Sequence, residues 1–133
     1  MIAMGMNQDT LVKKAEDLVN LLKKSQWDKG VGRTQASKAI EVAQESPTLR
    51  VFVNWLRYQA SRESERQPFW SVEIVEGHKK SCLAELLAQE LNIIQKAQPG
   101  DPMRAVRLFL GYFRRALVGV EFLDRIKVEK VEG

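Results

Sequence analysis

The residues best suited to metal binding or covalent catalysis in this chain are His78 and Cys82, which stand four positions apart. On a helix this spacing would place both side chains on one face, where an imidazole and a thiolate could bind zinc. A zinc site needs roughly three or four ligands, and the chain has one histidine and one cysteine. A Cys–His catalytic pair also needs a third residue that orients the base, and none is apparent.

The sequence also lacks a convincing phosphate-binding loop or a catalytic pair of carboxylates. The stretch GVGR, residues 30–33, has too few glycines for a phosphate-binding loop, and it follows a predicted helix instead of a strand. The carboxylates that can be placed all lie on ordinary helix surfaces. We therefore expect a protein that is not an enzyme, with no catalytic residue, no metal site and no cofactor.

Two rows of arginine are the more informative pattern. Helical steps of three and four residues produce one polar stripe, which consists of Arg50, Asn54, Arg57 and Ser61. A second face, on a later predicted helix, consists of Arg104, Arg107, Gly111, Arg114, Arg115, Val118 and Arg125. Guanidinium groups bind phosphates bidentately and are more weakly hydrated than ammonium, whereas lysine would serve solubility equally well. The rows therefore favour a polyanionic partner.

Gly111 stands between the cations of the second row, where a missing side chain would let another backbone, of protein or nucleic acid, approach closely. The opposite interpretation is that the arginines only keep a bundle soluble. Alternatively, they could pair with acidic helices of the same chain or of a neighbouring subunit. The candidate acids are Glu41, Glu45, Glu85 and Glu90.

Helical periodicity dominates the elements that must carry these rows. The spacing of apolar residues predicts five helices, over residues 10–27, 34–45, 47–66, 81–98 and 102–126. The predicted caps are Asp9 or Thr10, Thr34, Ser46 and Asp101, and Pro47 and Pro102 are each expected in a first helical position. Pro99 and Gly100 are expected to end the fourth helix.

The third predicted helix is apolar on most sides, so we expect it to be central, with only its polar stripe in water. On the fifth helix, the face opposite the arginines should be buried; it consists of Ala105, Val106, Phe109, Phe113, Ala116, Leu117 and Val120. Residues 67–80 are expected to form an irregular segment or a helical turn, with Phe69, Trp70, Ile74 and Val75 against the core.

Length and composition define the class of protein. With 133 residues and 44% hydrophobic content, the chain predicts an all-α, single-domain helical bundle over residues 1–133, with flexible ends at 1–8 and 127–133. No apolar run is long enough to cross a membrane. The lack of a secretion signal and the single cysteine indicate the cytoplasm. The net charge of +4 permits polyanion binding without requiring it.

A helix-turn-helix is one alternative for residues 30–43. A short helix after a glycine turn, opening with Thr34, Gln35, Ser37 and Lys38, could read base edges in duplex DNA. Aromatic side chains could instead stack on single-stranded bases. The candidates are Trp27, Trp55, Trp70, Tyr58 and Tyr112, of which Tyr112 is preferred because it borders the second arginine row.

The segments GRTQASKAIEVAQES, LRVFVNWLRYQASR and RLFLGYFRRALVGVEFL together resemble the small helical subunit of type III CRISPR effector complexes. The resemblance covers residues 30–62 and 103–123. It implies a subunit without catalysis, several copies of which line the path of guide and target RNA beside other protein subunits. The positions that it implies for phosphate contacts are Arg33, Lys38, Arg50, Arg57, Arg104, Arg107, Arg114 and Arg115.

Three functions therefore remain open at the level of sequence. The first is a non-catalytic RNA-binding subunit of such an antiviral ribonucleoprotein. The second is a protein–protein adaptor whose arginine faces bind acidic helices of a partner. The third is a helix-turn-helix regulator that binds DNA.

Overall fold

Over residues 6–98 and 100–129, the part of the chain that is described, the computed structural model has five α-helices and one β-hairpin. In chain order the elements are α1 (Gln8–Lys23), α2 (Arg33–Glu45), α3 (Leu49–Ser61), β1 (Glu73–Glu76), β2 (Lys79–Cys82), α4 (Leu83–Lys96) and α5 (Pro102–Val118), followed by a 3₁₀ helix (Val120–Phe122). The helices share one hydrophobic core, so the predicted bundle of about five helices is confirmed. The hairpin is an addition that the sequence did not predict.

The first two helices begin earlier than predicted and use other caps. Asn7, not Asp9 or Thr10, caps α1, and its side chain accepts a hydrogen bond from the Thr10 amide at 2.8 Å. Gly32 precedes α2 with a left-handed φ of 112° and no capping side chain, so the predicted cap at Thr34 is wrong. Only a glycine adopts this backbone conformation without strain.

Helix α3 is shorter than predicted, and its cap is Thr48 instead of Ser46. The Thr48 hydroxyl accepts from the Val51 amide at 3.4 Å. Ser46 ends α2, where its buried hydroxyl donates to the carbonyl of Val42 at 2.7 Å. Pro47 therefore lies in the turn between the two helices and not in the first turn of α3.

Helix α5 begins as predicted and ends earlier. Asp101 accepts from the Arg104 amide at 3.2 Å, and Pro102 is the first helical residue. The regular helix stops before Gly119. Arg125, predicted to share the arginine face of this helix, consequently lies beyond its end.

The predicted flexible ends and the predicted stop at Pro99 fall partly outside the described residues. Residues 1–5, Pro99 and residues 130–133 are not described. Gln8 already belongs to α1, and residues 127–129 have no regular secondary structure.

The central helix is α5, which packs against α1, α2 and α4. All seven residues predicted for its apolar face are buried. The prediction that α3 is central is wrong, because α3 packs mainly on α4 and α2 and its other side faces solvent. Val51 and Tyr58 on that side are 47% and 59% exposed.

The segment between α3 and α4 is ordered by buried aromatic rings and a tight turn. Phe69 and Trp70 are fully buried with ring centroids 4.6 Å apart. The strands pair antiparallel, and the two residues between them, Gly77 and His78, form the turn. Gly77 has a φ of 62° and the next residue has a negative φ, which is typical of a type II′ turn. Phe69, Trp70 and Ile74 are buried as predicted, whereas Val75 is 54% exposed.

Candidate nucleic-acid interface

The ion pairs of the described residues all use lysine. They are Lys13–Asp17 at 3.2 Å, Lys14–Glu90 at 3.0 Å, Lys23–Asp124 at 2.9 Å and Lys38–Glu41 at 3.4 Å. Within residues 6–98 and 100–129, no arginine forms an ion pair with a carboxylate. Of the four acids proposed as internal partners, Glu41 and Glu90 are bound to lysines. Glu85 accepts from the Cys82 amide at 3.2 Å, and Glu45 is exposed. Among the described residues, the arginines therefore have no carboxylate partner.

The arginine row of α5 is divided by its contact with α2. Arg107 and Arg114 are half-buried, and their Nε groups donate to α2. Arg107 reaches the carbonyl of Ala43 at 3.1 Å, and Arg114 reaches the hydroxyl of Ser37 at 2.6 Å. Ala43 lies in the last turn of α2, where the helix dipole favours a cation. Both acceptors are uncharged, so no carboxylate neutralises these two arginines where they join α5 to α2.

Replacing Arg107 by alanine should therefore lower the free energy of unfolding by about 1–3 kcal/mol, since a charged donor and its aliphatic stem are removed from a half-buried site. Urea denaturation followed by far-UV circular dichroism measures this change. The matched control is Arg104→Ala, an exposed residue of the same helix, for which we expect a change within about 0.5 kcal/mol. Equal effects of the two substitutions would show that the contact with α2 does not stabilise the fold.

The remaining arginines of this row, Arg104 and Arg115, are exposed. The Arg115 guanidinium lies 6.0 Å from the centre of the Tyr112 ring. A Cβ built on Gly111 would meet no atom of the described chain within 4 Å outside the backbone of its own helix. No neighbouring element therefore covers α5 at this position, which lies between Arg107 and Arg114.

The outward face of α3 carries the first arginine row, and it is wider than the predicted stripe. Its exposed residues are Arg50, Val51, Asn54, Arg57, Tyr58 and Ser61, and Arg62, the C-terminal cap of the helix, is exposed beside them. None of them is acidic. The Arg62 guanidinium lies 5.4 Å from the centre of the Tyr58 ring. We call these seven residues the α3 face.

Arg33 and Lys38 lie on α2. Arg33 is exposed at the start of the helix, and Lys38 is exposed but bound to Glu41. Ser37, which the helix-turn-helix hypothesis assigns to base reading, instead accepts the hydrogen bond from Arg114. The side of α2 that carries Ser37 consequently packs on α5 and is not open to DNA.

The two arginine rows lie on different helices, α3 and α5. Helices α2 and α4 each pack on both of them. A ligand that contacts both rows must extend across more than one helix.

The exposure of the aromatic residues reverses the preference for Tyr112. Trp27 and Trp70 are buried, and Trp55 and Tyr112 are half-buried. Tyr58 is 59% exposed and lies next to arginines. The sequence signal that could have indicated the exposure of Tyr58 was the polar character of its neighbours on the same face of α3, which is typical of a peripheral helix.

His78 and Cys82 do not share a helical face, since His78 lies in the hairpin turn and Cys82 ends β2. Burial raises the pKa of the Cys82 thiol, so the thiol stays protonated at neutral pH. Within the described chain, no group of three or more His, Cys, Asp or Glu residues is arranged to hold a metal ion.

Comparison of the chain with protein-family models, with curated proteins and with solved structures finds no match. None of the helices within residues 6–98 and 100–129 combines the length and apolarity needed to cross a bilayer.

Proposed function

We propose that this protein is a non-catalytic RNA-binding subunit that contacts the phosphate backbone through its exposed arginines. The observation that carries the proposal is the absence of an arginine–carboxylate pair among the described residues, although four lysines are paired. Arginine without an internal counterion is suited to bidentate phosphate binding. Such contacts position a nucleic acid without reading its sequence.

The proposed setting is a type III CRISPR effector complex in the cytoplasm. Its support is the resemblance of residues 30–62 and 103–123 to the small helical subunit of these complexes, together with the helical bundle itself. In this role several copies would line the path of guide and target RNA and would contact other protein subunits. The uncovered backbone at Gly111 suits close approach of such a partner.

The test is a salt titration of binding to a random single-stranded RNA, with Arg50, Arg57, Arg104 and Arg115 replaced together by glutamine. These four arginines are exposed, so the fold should persist. We expect affinity to fall at least about tenfold, and the slope of log affinity against log salt to decrease by about 0.7 for each phosphate that the variant no longer binds.

The matched control replaces four exposed lysines, Lys24, Lys29, Lys79 and Lys96, by glutamine and so changes the net charge equally. If both variants bind RNA with the same reduced affinity, binding depends only on overall charge and the arginine surface has no special role. Absence of RNA binding by the wild-type protein at physiological salt would contradict the proposal.

A protein partner is the second candidate, favoured by exposed apolar residues beside Arg115. Phe122 and Ile126 are 47% and 75% exposed, and with Arg115 they line a cleft of about 330 Å³ between α1 and the end of α5. If the protein is an adaptor, it should bind no RNA, and replacing Arg115 should abolish binding of its protein partner. If it is a DNA-binding regulator, duplex DNA of one particular sequence should displace all other nucleic acids.

A further inference from the structure

From the α3 face we infer that the polyanion is single-stranded, and that one of its bases stacks on Tyr58 while neighbouring arginines bind its phosphates. The inference rests on the proposed function and narrows it, because phosphate contacts alone would serve a duplex equally well.

Tyr58 is the most exposed aromatic residue named above. It is 59% exposed, although burial of an aromatic ring is favourable. The Arg62 guanidinium lies 5.4 Å from the ring centre and covers part of one side of it. The ring thus lies beside a cation in a residue that is mostly exposed to solvent.

The surroundings of Tyr58 match the chemistry of a nucleotide. Arg57 directly precedes Tyr58 in sequence. Arg50 lies two helical turns before Arg57, about 10 Å away along the helix axis. Asn54 and Ser61 stand four residues before and three residues after the tyrosine, and both are exposed. The Ser61 hydroxyl donates to the Tyr58 carbonyl at 2.8 Å, so it can only accept from a ligand. The face therefore combines cations for phosphate, the Asn54 amide for sugar or base edges, and one ring for stacking.

Charge and geometry select among possible occupants. The α3 face carries three arginines and no acid, which complements a polyanion. Val51 is its one aliphatic side chain, whereas the buried centre of a protein interface is more apolar. In a duplex both faces of each base are stacked on neighbouring bases, so a side chain can stack only on unpaired bases. These features favour a single strand.

The experiment compares wild type with Tyr58→Leu and Tyr58→Phe on three RNA probes at one salt concentration. The probes are a single-stranded oligonucleotide, an abasic oligonucleotide of the same length and a duplex. We expect the wild type to bind the single strand most tightly. Tyr58→Leu should weaken binding of the single strand at least about fivefold, as expected for loss of base–aromatic stacking. Tyr58→Phe, which keeps the ring, should bind like the wild type.

The abasic probe separates stacking from a structural effect. Tyr58→Leu should bind it as the wild type does, because no base is present to stack. Equal losses on both probes, no loss on either, or duplex binding as tight as single-strand binding would each overturn the inference and leave RNA binding intact. If the wild type binds none of the probes, the proposed function is wrong as well, and a protein becomes the expected partner of the α3 face.

Discussion

Replacing Gly32 by alanine should lower the free energy of unfolding by about 3–5 kcal/mol, because backbone strain and a steric clash add at one position. Gly32 has a φ of 112°, which L side chains rarely adopt. An added Cβ would overlap the ring of Phe69. That ring is fully buried and lies 4.6 Å from Trp70 and 6.4 Å from Phe113 between ring centroids, so it cannot move aside cheaply.

Urea denaturation of the two proteins measures this effect. The matched control is Gly111→Ala on α5, where an added Cβ meets nothing within 4 Å. Since alanine is the better helix former, this control should be neutral or stabilise the protein by up to about 1 kcal/mol. A Gly32→Ala protein within about 1 kcal/mol of wild type would show that the turn before α2 relaxes freely.

Replacing Glu63 by alanine is expected to have the second-largest effect, a loss of about 2–4 kcal/mol of unfolding free energy. Its carboxylate accepts from the amides of Phe69, Trp70 and Ser71 at 3.0, 2.9 and 2.8 Å, and from the Ser71 hydroxyl at 2.8 Å. Removing the carboxylate leaves the part-buried amides of Phe69 and Trp70 without this acceptor, at the point where the two buried rings enter the core.

Near-UV circular dichroism should report the change directly, because Trp70 stands against Phe69 and Trp55. Glu63→Gln keeps one carbonyl acceptor and should be intermediate in stability. The nearby exposed residue Glu65 provides the control, and Glu65→Ala should change stability by less than about 0.5 kcal/mol. If Glu63→Ala and Glu65→Ala unfold at the same urea concentration, the carboxylate does not hold the segment in place.

These two residues explain why the segment between α3 and α4 was not predicted. Its conformation depends on Glu63 reaching donors up to eight residues away and on Phe69 packing against Gly32. The first helical turn of α4 also depends on the conformation of this segment. The amides of Leu83 and Ala84 donate to the carbonyls of Val72 and Trp70 at 3.0 and 2.8 Å. No periodic pattern of side chains encodes such contacts.

The functional proposal gains its detail from the same kind of long-range contact. The sequence placed four arginines of α5 on one arc as equivalent ligands for phosphate. The structure makes Arg107 and Arg114 anchors on α2, and leaves Arg104 and Arg115 exposed. A test that replaced all four would therefore mix loss of binding with loss of stability, which is why the proposed variants take their arginines from exposed positions.

The amino-acid sequence by itself determined the helical class, the buried face of α5 and its start at Asp101 and Pro102. These features depend on residues within one or two helical turns, where spacing and capping chemistry are local. Only the tertiary structure decided that α5 and not α3 is central, that a hairpin precedes α4, and that Tyr58 rather than Tyr112 is exposed. The exposure of a side chain depends on which helices pack over it. The hydrophobic pattern of a single helix does not determine which neighbours will cover each of its faces.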